Sequence, residues 1–270
     1  MNRKDFIVGS TAASLGAALG AVPPAGAQAA APDAPAEAAP APTPRILIAG
    51  GEYGTPWIRY MAALTGKPRP RICFLPTAVA DNPYAIVGFF RSCAPLAVEP
   101  FAQASFIESL SQTQGWDEVL LSMDGIVVSG GNTLNQQAIW RAQGIDVVLR
   151  EAWARGIVLG GASAGSLCWF EEGTTDSRPK ALSVVQCLGF LPGSHCPHYD
   201  GEPGRRPLYH QLIGSGRMKP GYACDNAAGL LFEGTELKRA VATRDGARAY
   251  HVSAANGAVV ERPIEPERIS

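Results

Sequence analysis

Ile157-Val158-Leu159-Gly160-Gly161-Ala162-Ser163-Ala164-Gly165-Ser166 is the stretch that decides the fold. Three apolar residues, two of them β-branched, in a row suit a strand buried on both faces. The spacing Gly161-x-Ser163-x-Gly165 then predicts a sharp turn from strand into helix, with the serine hydroxyl exposed at the bend. Small neighbours on both sides allow that turn. The helix that follows aims free N–H groups and the positive end of its dipole at the same place. An anionic intermediate formed on Ser163 would find a donor in the N–H of Ala164. The same residues also suit a tight βα turn packed with small side chains and no chemistry.

Outward from this stretch, strands alternate with helices. Arg45-Ile46-Leu47-Ile48-Ala49 reads as a strand running into Gly50-Gly51, and Arg71-Ile72-Cys73-Phe74-Leu75 as one stopped by Pro76. Gly125-Ile126-Val127-Val128 and Gly156-Ile157-Val158-Leu159-Gly160 supply two more. Helical patterns cover 56–64, 82–94, 134–141 and 145–155. Such alternation predicts βαβ units, hence a mostly parallel sheet with helices on both faces. Beyond Gly189 the pattern loosens into loops and short strands near 229–232, 240–243 and 249–252. The expectation there is an irregular, β-containing C-terminal third.

A nucleophilic serine needs a base. The four histidines are His195, His198, His210 and His251. Two lie in Gly193-Ser194-His195-Cys196-Pro197-His198-Tyr199-Asp200-Gly201-Glu202, a segment fixed by proline and glycine. Serine before histidine excludes the chain order of chymotrypsin-like enzymes. A second glycine turn, Ser129-Gly130-Gly131-Asn132-Thr133, follows another strand of the same sheet. Neighbouring parallel strands place their C-terminal loops at one edge. Gly130 and Gly131 can therefore present N–H groups toward Ser163, or form an anion nest of their own.

The chain has 270 residues, 46% of them apolar and 17% charged, which gives a sizeable core and argues against disorder. Met1-Asn2-Arg3-Lys4-Asp5-Phe6 opens it with two basic residues, an Ala/Gly-rich apolar run follows, and Ala27-Gln28-Ala29 fits a small-residue cleavage site. That order predicts an export signal over 1–29 and a periplasmic location. Lys4 stands where a twin-arginine signal has its second arginine. Residues 29–44 hold eight Ala and five Pro, so an extended linker is expected over 30–44 and one α/β domain over 45–270. From Arg45 onward 21 basic residues face 21 acidic ones, which disfavours nucleic acid as a partner. The six cysteines, Cys73, Cys93, Cys168, Cys187, Cys196 and Cys224, show no zinc spacing. An exported chain permits disulfides, with Cys187 and Cys196 the first pair to examine, but a core of this size does not require them.

Taken together, Gly130-Gly131-Asn132-Thr133, Ser163-Ala164-Gly165 and Pro197-His198-Tyr199 resemble the aspartyl dipeptidase (peptidase E) and cyanophycinase family of serine peptidases. The resemblance spans roughly residues 45–249. It implies a flavodoxin-like sheet related to class I glutamine amidotransferases, with serine in place of their cysteine. It also implies Ser163 as nucleophile, His198 as general base, and Gly131 and Ala164 as oxyanion donors. Asp225 is the better match for the acid that orients His198, and Asp176 the alternative. Arg205 and Arg206 stand where the family binds an acidic side chain, and Asn132 is a further substrate-binding candidate. No metal or organic cofactor is implied. The expected partners are a small peptide substrate and a second copy in a homodimer, with no membrane contact beyond the export signal.

Three readings follow. The leading one is a serine peptidase acting on small peptides with acidic N-terminal residues through a Ser-His-Asp acyl-enzyme mechanism. The second is a hydrolase of β-linked aspartyl peptides or of another amide. The third is a binding protein on the same scaffold, disfavoured because serine, histidine and acids persist together. Glutamine amidotransfer is disfavoured because Ser163 occupies the nucleophile position.

Overall fold

The computed structural model describes residues 42–106 and 112–270. The export signal expected over 1–29 lies outside the described residues, as does the linker expected over 30–44 except for its last three positions. In chain order the elements are β1 Arg45–Ala49, α1 Thr55–Leu64, β2 Arg71–Leu75, α2 Pro83–Cys93, β3 Glu99–Ala102, α3 Trp116–Leu120 and β4 Gly125–Val128. Then come α4 Thr133–Gln143, α5 Ile145–Ala154, β5 Val158–Ala162, α6 Ala164–Leu167, β6 Phe170–Thr175, β7 Ser183–Gln186 and β8 Leu191–Cys196. The chain closes with α7 Arg205–Gly214, β9 Gly221–Cys224, β10 Ala228–Glu233, β11 Glu236–Ala242, β12 Ala249–Ala255, β13 Ala258–Ile264 and β14 Pro266–Arg268.

Eight strands form one sheet in the order β14-β11-β10-β1-β5-β4-β2-β3. The run from β1 to β3 is parallel throughout. On the other side of β1, β10 and β11 pair antiparallel. The order doubles back at β1 and β5, so the loops at their C-terminal ends border a crevice where ligands bind in open α/β sheets. Local chemistry sets the helix ends. Asn82 accepts from the Tyr84 N–H at 2.8 Å ahead of Pro83, and Asn132 accepts from the Asn135 N–H at 2.9 Å.

One face of this sheet packs Leu47, Ile72, Phe74 and Val127 against Trp57, Ile58 and Met61 of α1 and Phe89 of α2. The other face packs Ile46, Ile48, Ile126 and Leu159 against Trp140 of α4, Leu149 of α5, and Phe170, Leu191 and Cys224 of a second sheet. That second sheet has six strands in the order β13-β12-β9-β8-β6-β7. Helices therefore cover both faces of the first sheet, as expected, with the second sheet sharing one of them, and the β-containing C-terminal third supplies most of that second sheet. Short strands with Gly, Pro and Ser, such as Leu191-Pro192-Gly193-Ser194-His195-Cys196, hide this sheet from apolar patterning.

The β5 strand also begins two residues later than the sequence predicts. Gly156 adopts φ 84° and its N–H donates to the Trp153 carbonyl, so it terminates α5. The strand then runs on through Gly160 and Gly161, because neighbouring backbone lies too close for a side chain. A Cβ on either residue would overlap the carbonyl of Leu47 or Val128.

All six cysteines are free thiols, and Cys187 and Cys196 are not bridged. Cys196 instead accepts from the Thr174 hydroxyl at 3.1 Å. Burial pushes Cys73, Cys187 and Cys196 up to about 12 and Cys93 up to about 11, so these thiols stay protonated and inert.

Phe170 is fully buried where the two sheets meet. Its ring stacks on His195 at 4.9 Å between centroids and meets Phe232 edge-on at 5.8 Å. Phe170→Ala is expected to cost about 3–5 kcal/mol in urea unfolding. A change below about 1 kcal/mol would mean that the sheets do not depend on this contact.

Candidate active site

Ser163 occupies the single residue between β5 and α6. Its backbone sits at φ 56° and ψ −116°, a conformation that L-residues rarely adopt. The bend is held by close packing rather than by flexibility. A Cβ on Gly165 would overlap the carbonyls of Val128 and Ser129, so only glycine lets the helix start so near β4. Ser166 donates its backbone N–H to the Ser163 carbonyl at 3.0 Å, as Leu167 does at 2.9 Å.

His198 follows β8 and also has positive φ, at 55°. Its N–H donates to the Gly50 carbonyl at the end of β1, at 3.3 Å, and so ties the two sheets together at the site. Nε2 lies 2.8 Å from Ser163 Oγ, and Nδ1 lies 2.6 Å from Oδ1 of Asn226. An amide oxygen only accepts, so the ring proton sits on Nδ1. Nε2 is left as the acceptor for the serine hydroxyl.

The carboxylates expected at this position are elsewhere. Asp225 turns its Oδ2 to the Arg248 N–H at 2.8 Å and shapes the β9–β10 turn. Burial raises its carboxyl above the ordinary range, and the Arg248 N–H opposes that rise. Asp176 is exposed and lies 3.6 Å from Arg205. Neither touches the His198 ring. Asn226, which the sequence reading missed, fills that place because the chain crosses between sheets one residue after Asp225. Its side chain fits a slot between Gly51 and Gly201, where a Cβ on either glycine would overlap it. Its own N–H donates to Asp200 Oδ1 at 2.7 Å.

Of the two oxyanion candidates, Gly131 borders the same cavity as Ser163, and Ala164 follows Ser163 as the first residue of α6. Among the described residues neither the Gly131 nor the Ala164 N–H donates to a protein acceptor. Gly131 has φ 126° and borders a cavity of about 230 Å³ with Asn132, Ser163, Asp176 and Ser177. The three substrate-binding candidates are otherwise engaged. Asn132 caps α4 and donates its amide to the Ser177 carbonyl at 3.0 Å. Arg205 is buried, held by Glu202 at 2.7 Å and the Thr174 carbonyl at 2.9 Å. Arg206 pairs with Glu261 and lies over the rings of Tyr199 and Tyr250. The Arg205 guanidinium is buried in these contacts, whereas that of Arg206 is half exposed beside Glu261.

Behind the serine a second imidazole acts as a brace. His195 is fully buried, with Nδ1 3.0 Å from the Tyr222 carbonyl and Nε2 3.0 Å from Ser166 Oγ. The Tyr222 carbonyl fixes the proton on Nδ1, so Nε2 is an acceptor, and it shares the Ser166 hydroxyl with the Ser163 carbonyl, which lies 2.8 Å from that oxygen. Burial lowers this imidazole to about 3, with the Tyr222 contact opposing, so the ring stays neutral.

Residues 46–240 match peptidase family S51. Over 206 residues the chain is 43% identical to the uncharacterized peptidase YgaJ of Bacillus subtilis (strain 168), covering 76% of this chain and 88% of that one. Two solved structures share the fold. A protein of Listeria monocytogenes EGD-e assigned to peptidase E superposes with a TM-score of 0.57 at 17% identity, over 75% of this chain and all of that one. A peptidase from an acI-B1 Actinobacterium gives 0.66 at 14% identity, over 84% and 96%.

The brace has a pH signature. The unfolded chain takes up a proton at His195 near the ordinary 6.5, the folded chain only near 3. Its contribution to stability is therefore complete above pH 6.5 and shrinks as pH falls toward 3. Thermal melting from pH 7 to 4 should show a shallower decline for His195→Gln than for the natural chain. Parallel declines would contradict a neutral buried ring.

Proposed function

The chain belongs to peptidase family S51 and is a serine-type peptidase, and we propose that it hydrolyses short peptides through an acyl-enzyme on Ser163 with His198 as base and Asn226 as its neutral orienter. The observation that carries this reading is the 2.8 Å approach of His198 Nε2 to Ser163 Oγ with Nδ1 held by Asn226. Ser163 Oγ attacks the peptide carbonyl while its proton passes to Nε2. The carbonyl oxygen, now an anion, takes hydrogen bonds from the N–H groups of Gly131 and Ala164. His198 returns the proton to the departing amine. Water, deprotonated by the same nitrogen, then cleaves the ester and frees Ser163.

Asn226 supplies geometry without charge: it fixes the tautomer and aims the ring. An exported location belongs to the same reading, supported by the basic start, the apolar run and Ala27-Gln28-Ala29.

Ser163→Ala should lower kcat by about 10⁴- to 10⁶-fold with an unchanged melting temperature. Asn226→Ala should cost about 10²-fold through a misdirected ring. Asn226→Asp should recover most of that loss and move the acid limb of the kcat/KM profile to higher pH, because a carboxylate stabilises the imidazolium. Asp225→Asn and Asp176→Asn should each stay within several-fold of the natural enzyme. A loss near 10⁴-fold in either would restore that acid to the triad and overturn the role given to Asn226.

A further inference from the structure

A cavity of about 360 Å³ opens between the β1–α1 loop, α2 and the C-terminal ends of β2, β4 and β5, on the face of the sheet that packs α1 and α2. Tyr53, Phe74, Val79, Phe89 and Val127 line it, and Gly130 closes it toward the nucleophile. The junction is close: a Cβ built on Gly130 would stand 3.2 Å from Ser163 Cβ and 3.8 Å from Oγ. Ala162, the residue before the nucleophile, shares the wall. The cavity and the nucleophile thus lie on either side of a shared wall made by Gly130 and Ala162.

The wall is mostly apolar, with Ser92 and Ser129 its polar side chains besides Tyr53. None of the lining residues is charged. The rings of Phe74 and Phe89 stack 5.0 Å apart at 9°, forming a flat apolar floor. The Tyr53 hydroxyl donates to the Leu47 carbonyl at 3.3 Å, so its polar end is already used. A carboxylate placed here would lose its water and gain no cation, which is costly. An apolar side chain would gain by leaving water. The volume lies within the roughly 300–1,000 Å³ usual for small-molecule sites, ample for one large side chain.

We propose that this cavity is a specificity pocket that takes a large apolar side chain, aliphatic or aromatic, of a residue flanking the scissile bond, so that apolar rather than acidic short peptides are the preferred substrates. The assignment rests on the peptidase reading of Ser163 and His198. It runs against the acidic preference that the resemblance implies, in keeping with the internal engagement of Arg205 and Arg206.

Gly88 gives a way to close the pocket. It lies on α2 at the cavity lining, and a Cβ added there meets nothing within 4 Å. A larger residue should also favour the helix, since glycine is a poor helix former.

The test measures kcat/KM for Ala-Ala, Leu-Ala, Phe-Ala, Ala-Leu, Ala-Phe, Asp-Ala and Ala-Asp. Peptides with Leu or Phe on one side of the bond should exceed Ala-Ala by 10-fold or more. Gly88→Leu should bring that ratio down to about one. Highest activity on an aspartyl peptide, or a ratio that survives Gly88→Leu, would overturn the assignment. Labelling of Ser163 by a fluorophosphonate separates the two levels. Labelling without an apolar preference sinks the pocket alone, and neither labelling nor cleavage of any peptide sinks the peptidase reading with it.

Discussion

The bend at Ser163 is the constraint on which the site depends. A residue held at φ 56° between a buried strand and a four-residue helix costs about 1–3 kcal/mol and persists only where packing leaves no alternative. Here the packing is backbone against backbone. Gly161 and Gly165 bring β5 and α6 so near the Val128 carbonyl that no side chain fits between. The hydroxyl is presented because the rest of the turn has nowhere else to go. His195 and Ser166 secure the same bend from the second sheet.

The site also lies where the chain passes between its two sheets. It leaves the eight-stranded sheet at Ser163 and enters the six-stranded one at Phe170. It returns between Cys224 and Ala228, and Asn226 sits in that return. His198 comes from the end of β8, yet its N–H is bound by the Gly50 carbonyl at the end of β1. Each reacting group is thus placed by a contact between sheets. The distance from Oγ to Nε2 reports how well the sheets are docked.

This arrangement explains what the sequence disclosed. Strands β1, β2 and β4 are apolar runs of four or five residues ended by Gly, Pro or Ser, and period and punctuation locate them. The candidate nucleophile is marked by Gly161-x-Ser163-x-Gly165, and the candidate base, in Pro197-His198, by the family resemblance. The second sheet has no such signature, because half its strands expose one face and carry Gly, Pro or charge. The orienting residue was hidden for another reason. Chemistry of this kind leads one to look for a carboxylate, and Asp225 stands next to the correct position. Only the register of the β9–β10 crossing shows that the adjacent amide, not the acid, reaches the ring.

The surrounding charges carry the same logic. Asp225 satisfies a backbone N–H in the turn, Asp200 satisfies the N–H of Asn226, and Arg244 pairs with Asp200 from outside. Arg205 holds Glu202 to the β6 end, and Arg206 with Glu261, Tyr199 and His210 clamps α7 to β13. The Arg205 guanidinium is committed to this structural role, since it is buried and removing it would leave Glu202 and the Thr174 carbonyl without their donor. In the proposed mechanism charge develops on the substrate oxygen and on the His198 ring, and Asn226 meets that ring with an amide dipole where a carboxylate would add charge stabilisation.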